Sequence, residues 1–288
     1  MKSVVLLTLP IFLTSFLWST NIRKSKDIPY KDKTLNEFDP DRHILDIFYP
    51  EPGENKREVL VFVHGGSWNT GSKNRFHFIG NRMAKKGIVT VLINYRLSPS
   101  VKYDKMAEDC AAATDWVYKN ISKFGGDPKK ITVAGHSAGG HLVALITLGN
   151  TFKDLNLNNP IKKTILIDAF GLDMVSYFEQ YNNNYSKSLR AVFTTDPRIW
   201  RKASPIYHIP KEGSVPFLVF TGSKTYKTIS ESSEMFCHKL NESGNFCSLK
   251  VIKGRNHFGM IAQLYFRNNP MGRDILSFLK EPYFPEKE

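Results

Sequence analysis

Cysteine is scarce in this 288-residue chain, which has only Cys110, Cys237 and Cys247. Their spacing matches neither a CxxC redox pair nor a zinc-binding pattern, so the sequence argues against both kinds of site. Cys110 lies on the apolar face of a predicted helix, and we expect a buried thiol. Cys237 and Cys247 fall on a predicted helix and at the edge of the next strand. The sequence leaves open whether they form a disulfide, because pairing depends on geometry.

The chain also lacks long basic runs, internal repeats and low-complexity stretches. Solenoid, collagen-like and disordered classes are therefore excluded. The net charge is nevertheless +13, and such a balance favours anionic partners in general. The basic residues are scattered, and no helix-turn-helix, zinc-knuckle or RNA-binding signature accompanies them. We therefore expect a basic solvated surface and no nucleic-acid partner.

No mostly apolar run reaches the roughly 20 residues that a membrane-spanning helix needs. A shorter run lies near the start of the chain, where Lys2 precedes Val4–Trp18 and Arg23 and Lys24 follow it. A basic start and an apolar stretch of about 15 residues are typical of a secretory signal. Residues 1–20 are interpreted as a signal peptide, with an uncleaved signal anchor as the alternative. A secreted or periplasmic protein without a stable membrane span is expected.

From residue 26 onward, short β-branched runs alternate with amphipathic helical patterns, which predicts an α/β fold with a mainly parallel sheet. The apolar spacing between Met106 and Ile121 predicts a helix with one buried stripe. Further helical patterns cover His141–Leu148, Ser230–Leu240 and Phe258–Leu279. The predicted strands are Ile44–Phe48, Val59–Val63, Val89–Asn94, Ile131–Ala134, Thr164–Ile167, Phe217–Phe220 and Ser248–Ile252.

Residues 174–213 interrupt this alternation with a segment rich in aromatic side chains. Such an insertion between two sheet strands is typical of a cap over a site. The other interpretation is an ordinary helical connection whose aromatic side chains only pack, and the sequence favours neither. Because no linker divides the chain, residues 26–284 are predicted to form one domain.

The motif Gly135-His136-Ser137-Ala138-Gly139 carries the strongest chemical signal. It follows a predicted strand directly and precedes a predicted helix, which is the context of a serine nucleophile. Small residues on both sides of Ser137 allow a tight turn that lifts its hydroxyl above the sheet. The start of the helix places N–H groups beside that hydroxyl. Ser137 is therefore the predicted nucleophile.

A second glycine-rich motif, His64-Gly65-Gly66-Ser67-Trp68, follows the strand Val59–Val63. Acyl transfer passes through an oxyanion that needs preorganised hydrogen-bond donors. A glycine-rich loop after an early strand can turn its N–H groups toward the nucleophile. We expect the N–H groups of Gly66, Ser67 and Ala138 to form this oxyanion hole. His64 is expected to brace the loop rather than to catalyse.

A serine nucleophile also needs a base. His257 lies just past the last predicted strand, and a late histidine after the nucleophile is the chain order of serine hydrolases with this fold. His257 is therefore the predicted base. His136 and His141 flank Ser137 too rigidly to face its hydroxyl, so both are interpreted as packing or supporting residues.

The chain resembles the serine esterases of the α/β-hydrolase fold, above all feruloyl-esterase-like carboxylesterases and arylformamidases of the kynurenine formamidase type. The resemblance extends from about Ile44 to Leu279. It implies a mostly parallel eight-stranded sheet flanked by helices, a small cap insertion, no cofactor and no metal. It also implies the same nucleophile, base and oxyanion hole. It rests on the two glycine-rich motifs and on Asn94-Tyr95-Arg96-Leu97-Ser98-Pro99, Gly126-Asp127-Pro128 and Asn256-His257-Phe258.

One position departs from that family, because Thr225 stands where its members usually carry the acid of the triad. Loss of the acid in triad enzymes lowers turnover about 10⁴-fold. Asp168, which ends the predicted strand Thr164–Ile167, is the first-ranked replacement. A purely structural aspartate at a strand end is the other interpretation of this residue. The remaining candidates for the acid are Asp173, Glu231 and Glu234.

The sequence therefore predicts a secreted serine hydrolase that cleaves carboxylic esters through an acyl-enzyme intermediate. Its expected partners are small-molecule esters with small acyl or aryl groups, and esters on plant-type glycans are one candidate group. Two alternatives stay open. One is an arylformamidase-type amide hydrolase. The other is a non-catalytic binding protein on a hydrolase scaffold, which Thr225 at the usual acid position motivates.

Overall fold

The computed structural model describes residues 21–51, 56–180 and 187–281. Within these residues, eight strands form one sheet in the order β1-β2-β4-β3-β5-β6-β7-β8. β2 pairs antiparallel with β1 and β4, and all other neighbours are parallel. The strands are β1 (Ile22–Pro29), β2 (Ile44–Pro50), β3 (Arg57–Val63), β4 (Val89–Ile93), β5 (Gly126–His136), β6 (Ile161–Ile167), β7 (Phe217–Gly222) and β8 (Cys247–Ile252).

Helices cover both faces of this sheet, with α1, α9 and α10 packed on one core cluster and α2, α3 and α8 on the other. The predicted α/β fold with a mostly parallel sheet and flanking helices is thus confirmed. The α-helices of the described residues are α1 (His77–Ala84), α2 (Tyr103–Asn120), α3 (Ala138–Leu148), α4 (Thr151–Asp154), α5 (Met174–Gln180), α6 (Lys187–Phe193), α7 (Pro197–Ala203), α8 (Lys227–Glu242), α9 (His257–Ala262) and α10 (Pro270–Lys280).

Residues 1–20, the predicted signal segment, lie outside the described residues. Among the helices that the structure does describe, none combines the length and apolarity needed to cross a membrane.

The strand prediction missed β1, which forms an edge of the sheet. Its sequence, Ile-Arg-Lys-Ser-Lys-Asp-Ile-Pro, lacks the apolar alternation of a half-buried strand, and its residues are exposed or half-buried. Backbone pairing with β2 therefore produces this strand rather than its own hydrophobic pattern. Strand propensity depends on context in this way, most of all at sheet edges.

The last predicted helical pattern, Phe258–Leu279, is broken into α9 and α10. Pro270 is the first residue of α10, and Asn269 caps it by accepting a hydrogen bond from Gly272 N at 2.5 Å. Proline has no N–H to continue a preceding helix, and its ring disfavours helical geometry in the residue before it. The predicted single helix is therefore two helices, one beginning at His257 and the other at Pro270.

The structure also answers the cysteine question that the sequence leaves open. Cys237 in α8 and Cys247 at the start of β8 form a disulfide, with their Cα atoms 5.2 Å apart. This separation lies within the usual range for a disulfide. Cys110 in α2 is a buried free thiol, as expected.

Candidate active site

Ser137 lies at the sharp turn between β5 and α3. Its φ and ψ angles are 54° and −122°, a left-handed conformation that costs a non-glycine residue about 1–3 kcal/mol. The flanking glycines explain how the turn closes. A Cβ at Gly135 would overlap the carbonyl of Gly139, and a Cβ at Gly139 would overlap the carbonyl of Val63. The small residues of the motif are thus required by the backbone, as the sequence predicts.

His257 lies between Ser137 and Asp168. Its Nε2 is 2.9 Å from Ser137 Oγ, and its Nδ1 is 2.6 Å from Asp168 Oδ2. A carboxylate only accepts, so Nδ1 carries the hydrogen and Nε2 is free to accept from the serine hydroxyl. Asp168 is fully buried, and the His257 side chain is 12% exposed. The structure therefore brings three of the sequence-predicted residues into one hydrogen-bonded chain.

Asp168 follows the last residue of β6 and has a positive φ of 48°. Its own N–H donates to Phe220 O in the neighbouring β7 at 2.7 Å, which fixes the backbone. Its Oδ1 accepts from Gly222 N at 2.9 Å. Thr225 Oγ1 donates to its Oδ2, the oxygen that also faces His257. The residue at the family's usual acid position thus contacts the carboxylate that faces His257.

The other candidates for the acid lie elsewhere. Asp173 caps the start of α5, with its Oδ1 accepting from Ser176 N at 3.1 Å. Glu231 is exposed on α8 and pairs with Lys227 at 3.5 Å. Glu234 is also exposed on α8.

The loop after β3 lies close to Ser137. A Cβ at Gly65 would lie 3.1 Å from Ser137 Cβ. Gly66 and Ser67 have positive φ angles of 135° and 50°, and a Cβ at Gly66 would overlap the carbonyl of Thr70. Among the hydrogen bonds of the described residues, none uses the N–H groups of Gly66, Ser67 or Ala138.

His64 is fully buried at the base of this loop. Its Nδ1 lies 2.9 Å from Gly65 O, and its ring stacks on Tyr95 at 4.5 Å. Tyr95 also donates its hydroxyl hydrogen to His64 O at 3.0 Å. Burial lowers the pKa of His64 to about 4. These contacts are those of a neutral side chain that supports the loop.

His136 contacts His257, a relationship that sequence spacing does not reveal. The two rings lie 4.8 Å apart at 30°. His136 Nε2 is 3.2 Å from His257 O, and because a carbonyl only accepts, this nitrogen donates. Burial first, and then the charge of His257, lower the pKa of His136 to about 4. His141 points away, with Nε2 bonded to Ala203 O at 2.7 Å.

A cavity of about 530 Å³ opens above Ser137 and His257. Its wall is mainly apolar, and Arg75 adds one cationic side chain to it. The segment 174–213 contributes Tyr177 and Leu189 to this wall. Other aromatic side chains of the same segment, Phe178, Phe193 and Trp200, are buried in the core. The segment therefore both lines the cavity and packs, so neither interpretation from the sequence describes all of it.

The sequence profile of the BD-FAE family matches residues 45–240. The chain belongs to the BD-FAE family. The predicted resemblance to α/β-hydrolase esterases and arylformamidases is thereby confirmed, because individual relatives come from both groups.

Three relatives illustrate this range. Isoprenylcysteine alpha-carbonyl methylesterase ICME of Arabidopsis thaliana is 28% identical over 90% of this chain and 62% of its own length. Esterase LipC of Mycobacterium tuberculosis is 33% identical over 63% of this chain and 48% of its own length. Kynurenine formamidase of Drosophila melanogaster is 24% identical over 81% of this chain and 76% of its own length. The chain thus spans about half to three fifths of the length of the first two of these relatives.

Solved structures support the fold. Esterase B from Lactobacillus Rhamnosis superimposes with a TM-score of 0.75 at 16% identity, over 90% of this chain and 85% of that one. Thermogutta terrifontis esterase 2 phosphonylated by cyclosarin gives 0.65 at 23% identity, over 90% and 91%. At these identities the likeness concerns the arrangement of strands and helices.

Proposed function

We propose that this BD-FAE family member is a serine hydrolase that cleaves carboxylic esters. The observation that carries the proposal is the position of His257, whose two ring nitrogens contact Ser137 and Asp168 at 2.9 and 2.6 Å. A nucleophile, a base and a group that orients the base within hydrogen-bond reach are the requirements of acyl transfer by a serine enzyme.

In the proposed reaction, Ser137 Oγ attacks the ester carbonyl while His257 Nε2 takes its proton. The carbonyl oxygen becomes an oxyanion, which accepts hydrogen bonds from the N–H groups of Gly66, Ser67 and Ala138. The C–O bond to the alcohol then breaks, and His257 returns the proton to the leaving oxygen. A water molecule, deprotonated by His257, then attacks the acyl carbon. The bond from that carbon to Ser137 Oγ breaks, His257 returns the proton to this oxygen, and the carboxylic acid leaves.

Asp168 serves as the acid of the triad in this proposal. Hydrogen bonds from Gly222 N and Thr225 Oγ1 hold its carboxylate in place. The carboxylate in turn holds the His257 ring and stabilises its protonated form. Thr225 at the usual acid position is therefore compatible with an active enzyme, which removes the main argument for a non-catalytic binding protein.

The cavity supports substrates with an apolar or aromatic group. The cavity lining offers such a group several apolar contacts: Phe170, Tyr177, Leu189, Ile229 and Phe258. Small acyl and aryl esters fit a cavity of about 530 Å³. Esters carried by glycans, and secretion directed by residues 1–20, are further parts of the proposal.

An arylformamidase activity is the second candidate, because the Drosophila relative is named as a kynurenine formamidase. The same groups would attack an N-formyl aryl amide, with His257 protonating the leaving nitrogen. Comparing an N-formyl aryl amide with its aryl formate ester separates the two activities, since only the amidase cleaves both efficiently.

Hydrolysis of p-nitrophenyl acetate by the chain and by Ser137→Ala tests the proposal. Ser122→Ala, an exposed serine before β5, is the matched control. We expect Ser137→Ala to abolish turnover above the background of the reagent and Ser122→Ala to leave it unchanged. Equal turnover by the chain and Ser137→Ala would contradict the proposal.

A further inference from the structure

Large aromatic side chains are exposed around the mouth of the cavity. Phe258 and Tyr226, which line the cavity, are 71% and 58% exposed. Tyr265 and Phe266 lie farther out and are 70% and 60% exposed. Exposed apolar surface next to a binding site marks a place where the protein meets another apolar phase or partner.

Ring contacts join Phe78, Tyr265 and Phe266, and the ring of His257 contacts both Tyr226 and Phe258. Phe258 lies on α9, and Tyr265 ends the short 3-10 turn Gln263–Tyr265 that follows this helix directly. Tyr265 contacts Phe78 of α1 at 6.0 Å and Phe266 at 5.9 Å. We call this surface the aromatic rim: Phe78, Tyr226, Phe258, Tyr265 and Phe266.

The two segments that carry Phe78, Phe258, Tyr265 and Phe266 are rich in basic residues. Residues 59–103 contain seven Lys and Arg, residues 243–273 contain five, and neither range contains Asp or Glu. Arg82 Nη1 donates to Tyr265 O at 3.1 Å, which places this cation beside the rim. Five arginines of these segments take part in none of the ion pairs of the described residues: Arg75, Arg82, Arg255, Arg267 and Arg273.

We propose that the aromatic rim docks on a membrane surface that contains anionic phospholipid, with the cavity mouth toward the lipid. Aromatic side chains favour the boundary between headgroups and acyl chains. Unpaired arginines beside them are attracted to anionic headgroups, each contributing to binding. The positive charge beside the aromatic rim and its exposed aromatic side chains thus both fit an anionic membrane surface.

The docked orientation also indicates which class of substrate reaches Ser137. This inference rests on the proposed esterase function. A membrane-held amphiphilic ester would pass from the lipid past Tyr226 and Phe258 to Ser137. The substrate class is therefore amphiphilic esters with one chain or aryl group short enough for the cavity.

A fluorophore sensitive to its environment, attached at position 266, tests the docking in the full chain. Phe266→Cys offers the exposed thiol, because Cys110 is buried and Cys237 is bonded to Cys247. Tyr118→Cys on α2, where the native side chain is 42% exposed, is the matched control. With phosphatidylglycerol–phosphatidylcholine vesicles we expect a blue shift at position 266 and little at 118. Equal shifts at both positions, or an equal shift with phosphatidylcholine alone, would overturn the proposal.

Removing positive charge tests the docking independently. The measured quantity is again the shift of the fluorophore at position 266. The double variant Arg255→Gln, Arg267→Gln is compared with Lys129→Gln, Lys153→Gln, all four native residues being exposed. For the arginine pair we expect the lipid concentration that gives half of the maximal shift to rise about thirtyfold. For the lysine pair this concentration should change little. Equal changes for both pairs would contradict docking by the rim.

Turnover of soluble p-nitrophenyl acetate is measured on the same samples. If the esterase proposal fails, turnover is absent while the lipid-dependent shift persists, so failure of the esterase proposal and failure of the docking proposal are distinguishable. If docking fails, turnover persists without the shift.

Discussion

Thr225 donates its hydroxyl hydrogen to Asp168 Oδ2, the same carboxylate oxygen that lies 2.6 Å from His257 Nδ1. Thr225 follows β7, whereas Asp168 follows β6, so the proposed acid lies one strand away from the position where related esterases usually carry theirs. Thr225 still serves the proposed acid as a hydrogen-bond donor. The following predictions test this arrangement.

Asp168→Asn should lower kcat about 10⁴-fold, the effect of losing the acid in other triad enzymes, with KM little changed. Asparagine tolerates a positive φ almost as well as aspartate, so the backbone at 168 should be preserved. Steady-state kinetics with p-nitrophenyl acetate measures the change. Asp173→Asn, which alters only the cap of α5, is the control and should retain activity. A loss below tenfold in Asp168→Asn would show that Asp168 is not the acid.

Thr225→Val should lower kcat about tenfold, because it removes one hydrogen bond to a carboxylate while keeping the side-chain shape. Thr225→Ser keeps the hydroxyl and should remain near the activity of the native chain. The comparison of kcat and KM for both variants checks the role of the hydroxyl itself. Equal losses in the two variants would point to packing rather than to the hydrogen bond.

Thr225→Asp should lower activity in the native background, because it places a second carboxylate against Asp168 and like charges repel. In an Asp168→Asn background the same substitution should raise kcat at least tenfold, because the new carboxylate can face His257 without a competing charge. The four kcat values of this double-mutant cycle give the coupling between the two positions. A rise in the native background would mean that the native triad is incomplete.

Stability should fall as the pH is lowered through about 6.5 toward 4. Burial lowers the pKa of His64, His136 and His141 to about 4 from the ordinary value of 6.5. The unfolded chain therefore binds more protons in this range, and each histidine costs about 2 kcal/mol of stability between pH 6.5 and 5. Urea unfolding at these pH values measures the free energy directly.

His141→Gln should remove about a third of this pH dependence, since it deletes one of the three buried groups. His238→Gln is the control, because the His238 side chain is 65% exposed. An unchanged pH dependence in His141→Gln would contradict the assignment of a neutral buried histidine at this position.

Local sterics explain why some features were predictable from the sequence. The turn at Ser137 and the loop at Gly66 require small residues at fixed spacings. The two glycine-rich motifs meet this requirement, so both features can be recognised in the sequence. Strands buried on both faces, such as β3, have continuous apolar runs. A feature of this kind needs no information from distant parts of the chain.

Contacts between distant residues explain what was not predictable. Asp168 could be ranked first among four candidates for the acid, but the sequence left a structural role equally open, because its contact with His257, 89 residues later, depends on the fold. The hydrogen bond from Thr225 depends on how β6 and β7 pair, and the disulfide depends on how α8 packs against β8. β1 forms by pairing at the sheet edge, so its own sequence carries little signal.

Labelling with a mass-tagged fluorophosphonate, followed by peptide mass spectrometry, tests the central claim most directly. The reagent reacts with a serine hydroxyl only when a base activates it and an oxyanion hole receives the phosphonyl oxygen. We predict a label on Ser137 in the native chain and strongly slowed labelling in His257→Ala. A chain that stays unlabelled at Ser137, or is labelled there equally fast without His257, would contradict the account.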